Sequence, residues 1–396
     1  MRRGFFPLDR HLRLRRDSWS EGLVRTCARL GTTQPSFEIA AETLSDLTGL
    51  WISDSTVWRH HQEVTDRIQK QLVAEEERTP CWPAEMEQGA KAWIPAQEPI
   101  GEHASVSIDG LTILIRGERY REVKIAAVSE AVLSSAEQSQ GATLATANLE
   151  NVVVAGGPAN EDGLDKEQPN RAKGKKAGAT STDEVHGRQD GLKLTRHSYR
   201  AVLGEKEIFR PALAGELTRR RVDNAAKLTT VNDGAEWIWD LVQSHLPAER
   251  VEVLDWSHAV QNLSKASNAA WGEGSKEAQE WLAQRKAELW NGQLFEVRVA
   301  LGALPRRRKE RGKAIRQVQG YFVEHAKRLQ YARFRAEGRP IGSGSVESGG
   351  KNVVAWRMKR GGQSWSRPSA IRMLAALGEV HSGRWKAACK RLNKAA

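Results

Sequence analysis

The stretch ASVSIDGLTILIRGERYREVKIAAVSEAVL, residues 104–133, decides how this chain is read. Apolar residues recur through 106–115 and again through 120–128, with Arg116 to Arg119 between them. The spacing predicts two strands joined by a tight turn. Asp109 falls where the β pattern is strongest. A carboxylate is unfavourable inside a strand, so something must compensate for it. A turn residue before Gly110 is the bland account, and the weaker one.

Downstream, HSYRAVL (197–203) suits a third strand, and 205–221 suits an amphipathic helix with Ile208, Leu213 and Leu217 on its apolar side. AKLTTVNDG (226–234) reads as a short strand ending at Asp233-Gly234. AEWIWDLVQSHLP (235–247) reads as a helix, and RVEVLDWSH (250–258) as a strand ending at Asp255. The order strand, strand, strand, helix, strand, helix, strand is an α/β layout. A long helical stretch follows over 259–335, with Trp271, Trp281, Trp290 and Tyr321 as core anchors. It contains the run PRRRKERGK (305–313), which suits a solvated face or a phosphate contact. The last stretch, 348–394, is helical as well.

Upstream, SFEIAAETLSDLTGLWISDSTVWRHHQEVTDRIQKQL (36–72) carries two apolar stripes at helical spacing. Ala40, Ala41, Leu44, Leu47 and Leu50 make the first, and Gly49 marks its end. SDST then caps a second helix with Val57, Val64 and Ile68. The spacing suits a helix-turn-helix whose second helix presents Thr56, Arg59 and His60 to a major groove, although ordinary helical hairpins share it. Residues 1–74 therefore form an expected DNA-binding domain, and 75–102, rich in charge, Pro and Gly, an expected linker. Residues 134–192 are rich in Gly, Ala, Ser, Asn and charge without periodicity, as expected of a mostly disordered insertion.

Near the end lies PIGSGSVESGGKNVVAWRMKRGGQSW (340–365), where one acid, Glu347, stands among Lys351, Arg357, Lys359 and Arg360. The nearest acids on either side are Glu337 and Glu379. The chain has 396 residues and a net charge of +12, with a pI near 9.7. From residue 303 onward, 23 lysines and arginines face five acids. A polyanionic partner, DNA above all, is the simplest reading. Trp365 in GGQSWSRPS suits a groove or a base stack. Three scattered cysteines without a CxxC pair argue against a disulfide framework or a cysteine zinc site. No apolar run is long enough for a membrane span or a signal peptide, so a cytoplasmic, nucleoid-associated protein is expected.

Asp109, Asp233 or Asp255, and Glu347 fall at strand ends and a helix start. In an open α/β sheet such ends gather on one edge, where sites form. Converging carboxylates suit Mg²⁺ or Mn²⁺. Such ions activate a water or a 3′-hydroxyl for attack on a phosphodiester, while basic neighbours hold the backbone. A helix-start acid stabilised by the dipole would also account for Glu347. Periodicity does not choose between Asp233 and Asp255.

Taken together, FPLD (6–9), the 36–49 helical region, SIDG (107–110), NDGAEWIWDLV (232–242), VLDWSHAVQNL (253–263) and PIGSGSVES (340–348) resemble a DDE transposase. The similarity is to the bacterial Kra-type insertion-sequence group of the Mutator-like superfamily, and it covers most of the chain except the 134–192 insertion. It implies an RNase H-like mixed sheet, split as 103–258 and 340–396 around a helical insertion at 259–339 and preceded by the helix-turn-helix domain. It also implies Asp109, Asp233 and Glu347 as metal ligands, because the fourth strand of such a sheet lies beside the first. Asp255 and His258 match the family's separate Cys-or-Asp and His signature and are assigned to supporting positions. The implied substrates are double-stranded terminal inverted repeats and target DNA, bound by at least a dimer. Two other readings stand beside it: a DNA-binding regulator or inactive derivative, and a nuclease that cuts without joining.

Overall fold

The β1–β2 hairpin read from residues 104–133 is the centre of the sheet. In the computed structural model, which describes residues 14–15, 19–79, 94, 96–133, 189, 191–305 and 309–394, β1 is His103–Ile115 and β2 is Arg119–Leu133. FPLD, nearly all of the 134–192 insertion, most of 80–95 and residues 306–308 of the basic run lie outside the described residues. The hairpin is antiparallel, with Asp109 opposite Ile125. The third strand, β3 (Leu192–Leu203), pairs antiparallel with β2. After α4 (Lys206–Arg219), β4 (Lys227–Asn232) returns parallel to β1. Helix α5 (Glu236–His245) then leads to β5 (Val251–Leu254), parallel to β4. The result is a five-stranded mixed sheet in the order β3-β2-β1-β4-β5, so the α/β expectation holds.

Alternation along the strands sets the two layers. On β2, Ala126 and Val128 enter one core with Phe209, Leu213, Ile238 and Leu241 from α4 and α5. Val123, Ile125 and Ala127 enter another with Val346, Val353, Met373 and Leu377 from the end of the chain. Between the two chain segments comes a helical layer: α6 (Trp256–Trp271), α7 (Lys276–Trp290), α8 (Leu294–Gly302), α9 (Lys309–Glu324) and α10 (Tyr331–Ala336). The expected anchors pack here. Trp290 meets Trp256 edge-on at 5.1 Å, and Trp271, Trp281 and Tyr321 pack on the main core.

The N-terminal helices are α1 (Glu21–Thr33), α2 (Phe37–Thr48) and α3 (Asp54–Glu77). Ser36 and Ser53 cap α2 and α3, and Gly49 closes α2 in the left-handed region at φ 70°, as its position after the apolar stripe requires. These helices do not stand alone. Val24, Val64, Ile68 and Leu72 share a core with Ala376, Trp385, Ala388 and Leu392 of α13 (Arg367–His381) and α14 (Trp385–Lys394). Helix α3 also runs past the expected boundary at 74, because Glu75 and Glu76 are buried partners rather than linker residues.

Those two glutamates belong to a buried ring of charge. Arg200 on β3 forks onto Glu76 at 2.6 and 2.8 Å. Arg219 on α4 reaches Glu75 at 3.2 Å and Glu216 at 3.4 Å. Arg384, after α13, forks onto Glu216 at 2.8 and 3.0 Å and bonds Glu379 at 3.0 Å. Arg391 on α14 closes the ring between Glu379 and Glu75, at 3.4 and 3.8 Å. Burial by itself would raise Glu216, but the arginines outweigh it and hold the carboxyl at about 2. Removing one member of a buried pair leaves an uncompensated charge, at a cost of roughly 3–5 kcal/mol. Glu216→Gln is therefore expected to lower stability by about that amount, read as the shift in a denaturant midpoint. Because the folded carboxyl lies below its ordinary 4.5, the stabilisation is complete above that pH and is lost as pH falls toward about 2. Acid unfolding of the wild type should steepen across that window, and the variant should lack this component.

Candidate functional site

Strand pairing brings two of the candidate acids together. The parallel β1–β4 ladder ends with Val106 opposite Thr230; carried three residues past that end, its register sets Asp109 level with Asp233, close enough for their charges to interact. Asn232 fixes that register, since its Oδ1 accepts the Ile108 N–H at 2.7 Å. Both acids are half-buried. Asp109 accepts the Gly110 N–H at 2.7 Å, and Asp233 Oδ1 accepts the Ala235 N–H at the entry to α5, 2.9 Å away. The glycine after Asp233 is required by contact, since a Cβ on Gly234 would run into the Tyr321 ring, whereas one on Gly110 would meet only the movable carboxylate end of Glu122.

The carboxyl of Asp109 is raised above the usual carboxylate range. Burial is the main cause, and the charges of Asp233 and Glu347 add to it; the Gly110 N–H and His258 pull the other way. The four groups therefore share one field at the edge of the sheet. Glu347 sits in the first turn of α11 (Gly344–Ser348), which packs on β1 and β2. Its side chain is 55% exposed and pairs with Lys351 at 3.5 Å. Among the described residues, no three His, Cys, Asp or Glu side chains close around a point as a metal cage would need.

Asp255 has other work. It is 2% exposed and caps α6, accepting the His258 N–H at 3.0 Å, His258 Nδ1 at 2.9 Å and the Ser257 hydroxyl through Oδ2. Its Oδ1 accepts the Ser343 N–H at 2.7 Å, and Trp256 N–H bonds the Ile341 carbonyl at 3.0 Å. These bonds pin the loop leading to Glu347 against the end of β5. Burial would raise Asp255, but the hydrogen bonds from His258, Ser257 and Ser343 hold it down at about 2. In return Asp255 raises His258, with help from the charges of Asp233 and Asp109. Asp233 is thus the strand-end acid beside Asp109, while Asp255 acts as a bracket. An open cleft of about 740 Å³ adjoins the bracket, walled by Ser343, Ser345, Glu347, Asp255 and Ser257 opposite His197 and Tyr199 of β3.

The expected DNA contacts divide. Arg59, Lys351, Lys359 and Arg360 are exposed. Thr56 is half-buried, and its hydroxyl accepts from Ser53 at the α3 cap, 3.0 Å away. His60 cannot face a groove: it is 1% exposed and its ring packs on Trp19 at 4.5 Å. Arg357 is no phosphate contact either. It lies 2% exposed between the Phe37 and Trp365 rings, at 5.1 and 5.0 Å, and donates to the Gly31 carbonyl from Nε and Nη2. Trp365 is core, with Nε1 donating to the Met358 carbonyl and its backbone bridging Ile115 at the edge of β1. A basic run in sequence does not tell its buried arginine from its exposed ones. The exposed Trp356, missed in the sequence, carries Arg360 over its ring at 5.0 Å.

No protein-family model matches the chain, and no curated protein matches it either.

Asparagine caps a helix as well as aspartate does, but Asp255→Asn removes the charge and leaves one acceptor oxygen for the two arms of the bracket, setting an NH2 against the donors of the other arm. His258 should then titrate lower than in the wild type, followed by NMR. Stability should fall by roughly 1–3 kcal/mol, the range of a hydrogen bond to a charged partner. An unmoved His258 titration would show that Asp255 is not what holds its proton.

Proposed function

We propose that this protein is a DDE-type DNA transposase, which cuts and joins phosphodiesters at the ends of an insertion sequence. The observation that carries the reading is the interaction of Asp109 with Asp233 and Glu347 in one field, the first two level by continuation of the β1–β4 register. The order β3-β2-β1-β4-β5, with three antiparallel strands followed by two parallel ones, supports an RNase H-like reading, as do the helices α6 to α10 that come before Glu347.

In chemistry the donor set suits Mg²⁺ or Mn²⁺. Asp109 on β1 and Asp233 just past β4 offer hard oxygens, and Asp109, raised mainly by burial, also feels the charges of Asp233 and Glu347 that a cation would offset. Those two acids would hold the metal, with Glu347 as the third ligand. The metal supplies activation of the attacking oxygen and charge relief at the phosphate. The remaining work belongs to the chain. Asp255 raises His258 and so favours its proton beside the acids; in that form the imidazole would offer positive charge to an incoming phosphate. Lys351, Lys359 and Arg360 face outward beside Glu347 and would bind the DNA backbone. Exposed Arg59 on α3 would contact the duplex, in a helix-turn-helix built from α2 and α3 without His60. Two inverted repeats cut together imply a homo-oligomer on DNA.

A second reading, a DNA-binding protein that does not cut, is favoured by one observation: among the described residues no three ligands close on a point. Incubating the purified chain with the DNA flanking its own gene, with Mg²⁺ or Mn²⁺, separates the two. The wild type should cut and join at imperfect inverted repeats. Asp109→Asn, Asp233→Asn and Glu347→Gln should each lose at least about a thousandfold, consistent with several kcal/mol of transition-state stabilisation. Binding without cutting would give the regulator reading the lead. Cutting without joining would identify a nuclease.

A further inference from the structure

The surface that follows Glu347 repeats with a period no α-helix has. From 345 to 360, buried pairs recur every four residues: Ser345–Val346, Gly349–Gly350, Val353–Val354 and Arg357–Met358. Between them, Glu347, Lys351, Trp356 and Arg360 are exposed. An α-helix of 3.6 residues per turn would drift about 40° with every four residues, and would set residues nine apart on opposite sides. The stretch Gly349–Ala355, between α11 and α12 (Trp356–Met358), is π-helical, and its wider turns offset that drift. Glu347, Lys351 and Trp356 therefore keep to the exposed side as a stripe, which Arg360 continues just past the end of the helix. Gly349 lets this unusual helix lie close on the sheet, since a Cβ there would sit 2.7 Å from the Tyr199 ring. Inserted π turns are rare and concentrate at functional sites.

Trp356 is the odd member of the stripe. Its large apolar ring is 52% exposed, although the core of buried residues lies one position away at Arg357. Arg360 covers part of it in cation–π contact, and Lys351 and Lys359 are exposed nearby. An exposed aromatic interleaved with cations is what an unpaired base and its flanking phosphates need. Bases inside a duplex are stacked on one another and do not reach a flat ring on a protein surface.

We propose that Trp356 is a stacking platform for an unpaired base of a DNA strand. Lys351, Lys359 and Arg360 hold the adjoining phosphates, and the strand runs along the stripe toward Glu347. This rests on the phosphodiester reading only for where the strand leads, since stacking needs no metal and no chemistry.

The test uses the full chain in chelator. Its probes are a blunt duplex and the same duplex carrying a short single-stranded tail with a fluorescent purine analogue. Wild type should bind the tailed duplex more tightly than the blunt one and quench the analogue. Trp356→Ala should lose the quenching and weaken tailed binding roughly ten- to hundredfold, the scale of one base–aromatic stack, while Trp356→Phe keeps most of both. No preference for the tail in the wild type, or an equal loss on tailed and blunt duplex in Trp356→Ala, would overturn the proposal. Tail stacking at Trp356 in a protein that never cuts with either metal would sink the transposase reading and leave the platform standing.

Discussion

The buried ring of four arginines and four glutamates is the constraint on which the arrangement of this chain depends. Taking ions out of water costs several kcal/mol each, and only close, hydrogen-bonded opposite charges offset it. Here the partners come from α3, β3, α4, α13 and α14, which are far apart in sequence. Each element can bury its charge only when the others are in place. A purely apolar junction would tolerate sliding; a ring of forked ion pairs permits one docking. The N-terminal helices are thereby locked directly to α13 and α14, and both to β3 and α4.

That lock has a consequence for the site. The stretch carrying Glu347 is held from three directions. The Asp255 bracket fixes the loop before it, and Gly349 seats its middle on Tyr199. Arg357, sandwiched between Phe37 and Trp365, ties its end to the first helices through the Gly31 carbonyl. Movement of the N-terminal helices would therefore be felt at Glu347. Asp109 and Asp233, by contrast, lie just past the end of the ladder that joins β1 to β4. The site thus combines two acids at the edge of the sheet with a third on a segment coupled to the packing of the N-terminal helices.

Charge and geometry are matched at that edge. Three acids and a half-buried histidine share a field, and the acids raise the histidine in return. The cations lie outside, along the π-helical stripe, where a polyanion would meet them. A basic surface with a few acids at its centre suits a ligand that is negative along its length and bridged to the protein at one point.

By itself the sequence determined the elements. Alternation marked β1 and β2, serines and Gly49 marked the ends of α2 and α3, and position singled out Asp109 inside a strand, Asp233 and Asp255 at strand ends and Glu347 at a helix start. These are local signals, carried by neighbouring residues and the steric rules of the backbone. Only the tertiary structure decided what each polar side chain faces. It placed Asp233 rather than Asp255 beside Asp109, because strand order is a non-local property. It buried His60, Arg357 and Trp365 and left Trp356 in solvent, although all four look alike in a basic or amphipathic run. It made Glu75 and Glu76 core residues, because their partners lie more than a hundred positions away. Burial of a charge depends on a partner brought in by folding, and no local pattern records where that partner will be.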